Sequence, residues 1–152
     1  MTDTENGTER DRQNYALSIA APLSETIFDD VLGPFAIWLD TEETLPMSAK
    51  MALRLILEEL LANTVMHGNA AANSEIALNL AVTGDGVKIG FRDHGVAFNP
   101  ATDLPHDSRE DTLENRPVGR LGWPLILHYC SLDKYERANG QNRLELTFKP
   151  GA

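Results

Sequence analysis

The strongest constraint in this chain is a run of helix-period residues, LRLILEELLANTVMHGN over 53–69, that sets an acid and an amide where apolar side chains belong. At about 100° per residue, Lys50, Arg54 and Glu58 fall within about 80° of one another and mark a solvated stripe. Glu59 and Asn63 project roughly 160° from the centre of that stripe, among Ala52, Leu55, Ile56 and Met66, with His67 one turn further on. Burying a carboxylate is costly unless something pairs with it, so this face calls for a metal, a ligand or a bonding partner. A hydrogen-bonded structural pair near the helix end would answer the same demand, and the helix alone leaves both readings open. Pro46 and Ser48 open the helix and Gly68 offers a left-handed cap at its end, which gives about five turns.

The rest of the chain alternates strand and helix signals around that segment. Tyr15, Leu17 and Ile19 alternate as in a strand, and Pro22-Leu23-Ser24 supplies a stop and a helix N-cap. Phe28, Val31, Leu32, Phe35 and Leu39 recur at helical spacing over 25–39, with Gly33-Pro34 expected to kink or split the helix. Ile76, Leu78, Leu80 and Val82, then Gly84-Asp85-Gly86, then Val87, Ile89 and Phe91 spell a β-hairpin. Residues 94–118 lack apolar periodicity and carry Pro100, Pro105 and Pro117, which marks a lid or a disordered loop. Gly122-Trp123-Pro124 introduces a short helix to about Cys130. Residues 131–148 form a second hairpin that turns at Asn139-Gly140, with Leu144, Leu146 and Phe148 inward. Hairpins joined to three helices predict an α+β fold: a two-layer α/β sandwich whose mixed, mostly antiparallel sheet carries its helices on one face.

At 152 residues and 42% hydrophobic, the chain suffices for one buried core. The segment 1–13 reads as a disordered polar tail and 14–150 as one domain. With 13 Lys plus Arg against 23 Asp plus Glu, the net charge of -10 opposes direct binding to nucleic acid. Any phosphorylated ligand would then lean on a divalent cation and on backbone N–H groups. Cys130 is the only cysteine, which excludes an internal disulfide and a multi-thiolate zinc site. No stretch spans a bilayer and the start lacks the order of a signal peptide, so a cytoplasmic location is expected.

Two more segments bear on chemistry. In FRDHGVAFNP, Asp93 shares strand parity with Val87, Ile89 and Phe91 and so points to the core where the strand ends. Gly95 there permits close backbone approach, and Asp93 can accept a hydrogen bond from an exocyclic amine, although an Asp-x-Gly turn is also a common strand ending. VGRLGWP runs a glycine-spaced turn into a helix N-terminus, where N–H groups and the helix dipole favour an anion, although ordinary capping would use the same residues.

Taken in this order and spacing, the three segments resemble the ATP-binding fold shared by gyrase, the heat-shock chaperone and sensor histidine kinases (the Bergerat fold). Glu59-Leu-Leu-Ala-Asn63-Thr-Val-Met-His67-Gly68 is similar to its asparagine helix in the form found in anti-sigma-factor serine kinases. Asp93-His-Gly95-Val-Ala97-Phe98-Asn99-Pro100 is similar to that family's adenine loop, and Gly119-Arg120-Leu121-Gly122 to its lid-closing glycine motif. The resemblance spans about 15–149, with a lid at about 94–120. It implies Asn63 as the Mg²⁺ ligand, Glu59 as general base, Asp93 as the acceptor for adenine and Gly95 as part of the adenine wall. Gly119, Leu121 and Gly122 would present backbone to the phosphates of ATP, with His67, Ala97, Phe98 and Arg120 completing the nucleotide site. Ala97 and Arg120 stand where the family often has glycine, and Trp123-Pro124 is unusual at the start of this helix.

The resemblance further implies a bacterial protein serine kinase in transcription regulation. It would phosphorylate an anti-anti-sigma protein of the STAS type, hold a sigma factor, and form a homodimer. A nucleotide-gated interaction module without kinase activity is the alternative reading. A sensor-kinase fragment fits less well, because nothing before residue 15 reads as a phospho-accepting helical hairpin. Metal hydrolysis at His67, His94, His106 or His128 fits least, since none makes a metal-ligand spacing with another His or with Cys130.

Overall fold

The computed structural model describes residues 15–104 and 122–150. The expected polar tail, and the part of the expected lid that falls on 105–120, lie outside those residues. Among the described residues five strands and three helices follow one another: β1 (Leu17–Pro22), α1 (Ile27–Thr41), α2 (Met47–His67), β2 (Glu75–Thr83), β3 (Gly86–Asp93), α3 (Gly122–Tyr129), β4 (Cys130–Ala138) and β5 (Gln141–Phe148). The sheet order is β1-β2-β3-β5-β4, and every neighbouring pair is antiparallel. The sheet is therefore not mixed. α3 carries the chain past the slot beside β3, and a tight turn sends β5 back into it. Asn139 and Gly140 make that turn with φ of 53° and 74°, the left-handed pair that a two-residue hairpin requires.

The inward residues of the strands meet across the ladder in apolar rows. Ile19 pairs with Leu78, Leu78 with Phe91, Phe91 with Leu144, and Leu144 with Tyr135. A parallel row joins Leu17, Leu80, Ile89, Leu146 and Leu132. Against these rows α1 lays Ile27, Val31, Phe35 and Leu39, while α2 lays Leu53, Ile56, Leu57, Leu60 and Leu61. Each fully buried side chain of this size contributes about 1.5–3 kcal/mol, so these rows dominate the stability.

Several local expectations change. Gly33-Pro34 does not split α1, which runs unbroken with Pro34 inside it. Both residues lie on the exposed side, while Val31 and Phe35 anchor the two halves to the core. Ile27, not Phe28, is the first core residue of that helix, and Phe28 is 37% exposed. Ser24 is not the N-cap. Thr26 holds that position, and the Ser24 hydroxyl accepts from the Thr26 N–H in the preceding turn. α2 ends with Gly68 in right-handed geometry at φ -73°, and the left-handed residue is Asn69 at φ 51°. Arg54 and Glu58 form the exposed pair expected of a solvated stripe, at 3.2 Å. Leu55 and Met66, expected inward, are instead exposed, as is Val82 in β2.

Candidate functional site

The apolar rows stop where β3 and β5 leave the core, and their last row is polar. Asp93 pairs in register with Asn142, and both are buried, 8% and 5% exposed. Asp93 Oδ1 accepts from Gly95 N at 2.8 Å and from Asn142 Nδ2 at 3.0 Å. Its other oxygen, Oδ2, receives one long bond of 3.4 Å from Thr64 Oγ1 on α2. Oδ1 is thus saturated by short bonds, and Oδ2 keeps capacity to accept from a ligand.

Asn142 fixes the loop that follows β3 as well as the acid that ends it. Its Nδ2 donates to Val96 O at 2.8 Å, while its Oδ1 accepts from Phe98 N at 3.2 Å and from the Tyr135 hydroxyl at 2.6 Å. Val96 N donates to Gly68 O at 2.7 Å, which ties the same loop to the end of α2. Arg137 donates to Gly95 O at 2.6 Å. Gly95 is required by closeness: a Cβ there would stand 2.8 Å from Gly68 O and 3.0 Å from Asp93 Oδ1. Backbone groups of 95, 96 and 98 are therefore held in place by side chains of β4 and β5, which suits a recognition wall.

On the opposite side α2 supplies Leu60, Asn63 and Thr64, and α3 supplies Trp123. With Gly68, Phe91, Asp93, Val96, Phe98, Asn142 and Leu144 they enclose a cavity of ≈ 30 Å³. Two of the lining residues carry a buried donor without an acceptor: Asn63 Nδ2 and Trp123 Nε1. Phe98 and Trp123 lie ring to ring, centroids 6.1 Å apart.

Glu59 stands one turn before Asn63 and does not line this cavity. It packs against the first residue of α3, where a Cβ on Gly122 would come within 2.2 Å of Glu59 Oε2 and 3.0 Å of Glu59 Cβ. The Glu59 side chain therefore lies against the N-terminus of α3, where the helix dipole favours a carboxylate. Asn63, Asp93 and Phe98 are thus brought to one cavity, with Glu59 and Gly122 beside it. Gly95 is buried in the wall as Asp93's donor, Ala97 is exposed, and His67 closes α2, half-buried and away from the lining. Gly119, Arg120 and Leu121 lie outside the described residues.

Sequence reading missed Asn142, Thr64 and the part played by Trp123. Strand parity carried one step back from Leu144 would have turned Asn142 inward, and Thr64 lies one turn beyond Leu60 on the buried face of α2. Nothing in the sequence announces that Asn142 lies opposite Asp93.

Among the described residues no group of three or more His, Cys, Asp or Glu side chains gathers to hold a metal. No described helix is long and apolar enough to cross a membrane. Burial pushes the Cys130 thiol up to about 12, with Asp133 adding to the shift, so the sulfur stays protonated.

The family model of the histidine kinase-like ATPase domain matches residues 29–148, which runs from within α1 through β5 and takes in every described residue of the cavity. Among curated proteins, none matches the chain.

Proposed function

The chain belongs to the histidine kinase-like ATPase domain family, which implies ATP binding, and from that premise we propose that it is a Mg-ATP-dependent protein serine kinase that switches between protein partners. The substrate in this reading is an anti-anti-sigma protein, with a sigma factor as the alternative partner. The observation that carries the proposal is the placement of Asn63 and Asp93 on one cavity, with Glu59 one turn earlier on the same helix.

The donors and acceptors of the residues present suit the edge of a nucleotide base. Asp93 Oδ2 can accept from an exocyclic amine, and Asn63, whose Nδ2 has no partner, lines the same cavity. ATP, when bound, supplies the phosphoryl group and brings Mg²⁺ on its phosphates, a metal for which one protein oxygen beside phosphate and water is an ordinary ligand set. Asn63 is the residue that would supply that oxygen. Asn142 keeps the Asp93 carboxylate aimed, since its amide binds Oδ1 and leaves Oδ2 turned toward Thr64. Glu59 would accept the proton of a partner's serine hydroxyl, and its contact with Gly122 sets where that carboxylate can stand.

The same contact favours a second reading. If Glu59 serves only to clasp α2 to α3, the chain is a nucleotide-gated interaction module without transfer activity. Labelled ATP with an anti-anti-sigma protein decides between them: phosphoserine on the partner is expected, and tight ATP binding without any would sink the kinase. Glu59→Gln should bind ATP with an unchanged Kd and transfer nothing.

A further inference from the structure

We infer that Trp123 is a base-contacting residue whose indole N–H donates to an acceptor atom of the bound purine, an inference that rests on the nucleotide reading above. Three observations converge on it. Trp123 is 2% exposed and lines the cavity, yet its Nε1 has no acceptor, an arrangement that costs stability unless something else completes it. Asp93 at the same cavity accepts only, while the indole donates only. A ligand edge that carries a donor beside an acceptor matches that pair, and adenine presents an exocyclic amine next to a ring nitrogen.

The third observation is size. The cavity of ≈ 30 Å³ holds about two waters, whereas an apolar cavity of about 150 Å³ is what takes a single benzene ring. Among the described residues, a purine therefore enters this cavity only if part of the wall retreats. Asp93 and Asn142 are held by short hydrogen bonds to β5, the following loop and each other. Trp123 breaks no side-chain hydrogen bond by moving, because its Nε1 makes none. The indole, like the Asn63 amide, is thus a polar group of the lining that can yield without breaking a side-chain hydrogen bond, and it can then bond to the base.

The chain has two tryptophans, Trp38 and Trp123, so its indole N–H resonances are two and a Trp38→Phe variant assigns them. Mg-AMPPNP is titrated into the unsubstituted chain by calorimetry and by NMR in parallel. The Trp123 indole proton should move downfield along the calorimetric isotherm and exchange more slowly with solvent at saturation, while that of Trp38 stays. Trp123→Phe keeps a ring against Phe98 and removes the donor, so its Kd should rise about three- to tenfold, the worth of one net hydrogen bond. A saturated complex with an unmoved Trp123 resonance overturns the inference. So does a Trp123→Phe protein that binds as tightly or more tightly, which would make the indole an obstruction only. If that variant does not fold, the resonance of the unsubstituted chain still decides. Absence of any binding isotherm would instead remove the nucleotide reading itself, and the donor role with it.

Discussion

Asn142 Nδ2 donates to Asp93 Oδ1 at 3.0 Å across the last row of the β3–β5 ladder, so the acid of the site is held by a residue 49 positions further along the chain. The amide also bonds Val96 O, Phe98 N and the Tyr135 hydroxyl. Asn142→Ala strands several buried groups at once and should lower stability by about 2–3 kcal/mol. Asn142→Asp should be worse, since it sets a second carboxylate against the first. Urea unfolding of the two variants checks the order; equal losses would mean that charge plays no part.

The Glu59–Gly122 contact makes a coupled prediction. Gly122→Ala forces the Glu59 side chain aside and should cost about 1–3 kcal/mol, the usual range for overpacking. In a Glu59→Ala background the same change should cost much less, so the double-mutant cycle should return a coupling energy of about 1 kcal/mol or more. Additive losses would show that Gly122 is constrained by something other than Glu59.

Gly33 tests the exposed middle of α1. A Cβ built there meets nothing within 4 Å outside its own helix and its chain neighbours, but the next residue is Pro34, whose ring crowds the Cβ of a helical residue before it. Gly33→Ala should therefore leave the urea midpoint unchanged or lower at constant m-value, despite the better helix propensity of alanine, and a higher midpoint would show that the Pro34 ring leaves room.

The architecture was legible because period and turn chemistry agreed along the described strands and helices. Leu78, Leu80, Val87, Ile89 and Phe91 announced their strands by alternation, and Asn139-Gly140 announced its hairpin by residue type. The inward turn of Asp93 followed from the same parity. What escaped depended on register between distant strands or on which side of a helix solvent reaches. Asn142 opposite Asp93 is a pairing that no local pattern encodes. Leu55 and Met66 were misplaced because α2 is covered over a narrower arc than its apolar content implies, which leaves Met47, Met51 and Leu55 in a line on its exposed side. Pro34 was over-read, since a breaker at an exposed position yields to core anchors on either side.

Cys130 gives a prediction in pH. The buried thiol ionises at about 12 against 9.0 for its ordinary value. A folded value above the unfolded one means that the unfolded chain releases its proton first as pH rises. The contribution of Cys130 is complete below pH 9.0 and is lost progressively towards about 12. A thiol reagent at pH 8 should leave the native protein unlabelled and label it fully in denaturant. Rapid native labelling would show that the sulfur is reachable.

The polar row at the end of the sheet also dictates an order of events during synthesis. A nascent chain that has emerged only as far as Asp93 possesses the acid but not the amide that aims it, because Asn142 arrives with the final strand. Contacts of such wide sequence separation close late, after the local helices and the first hairpin. Truncated products should therefore be blind to the ligand, and the ligand in turn should protect only chains that have been completed.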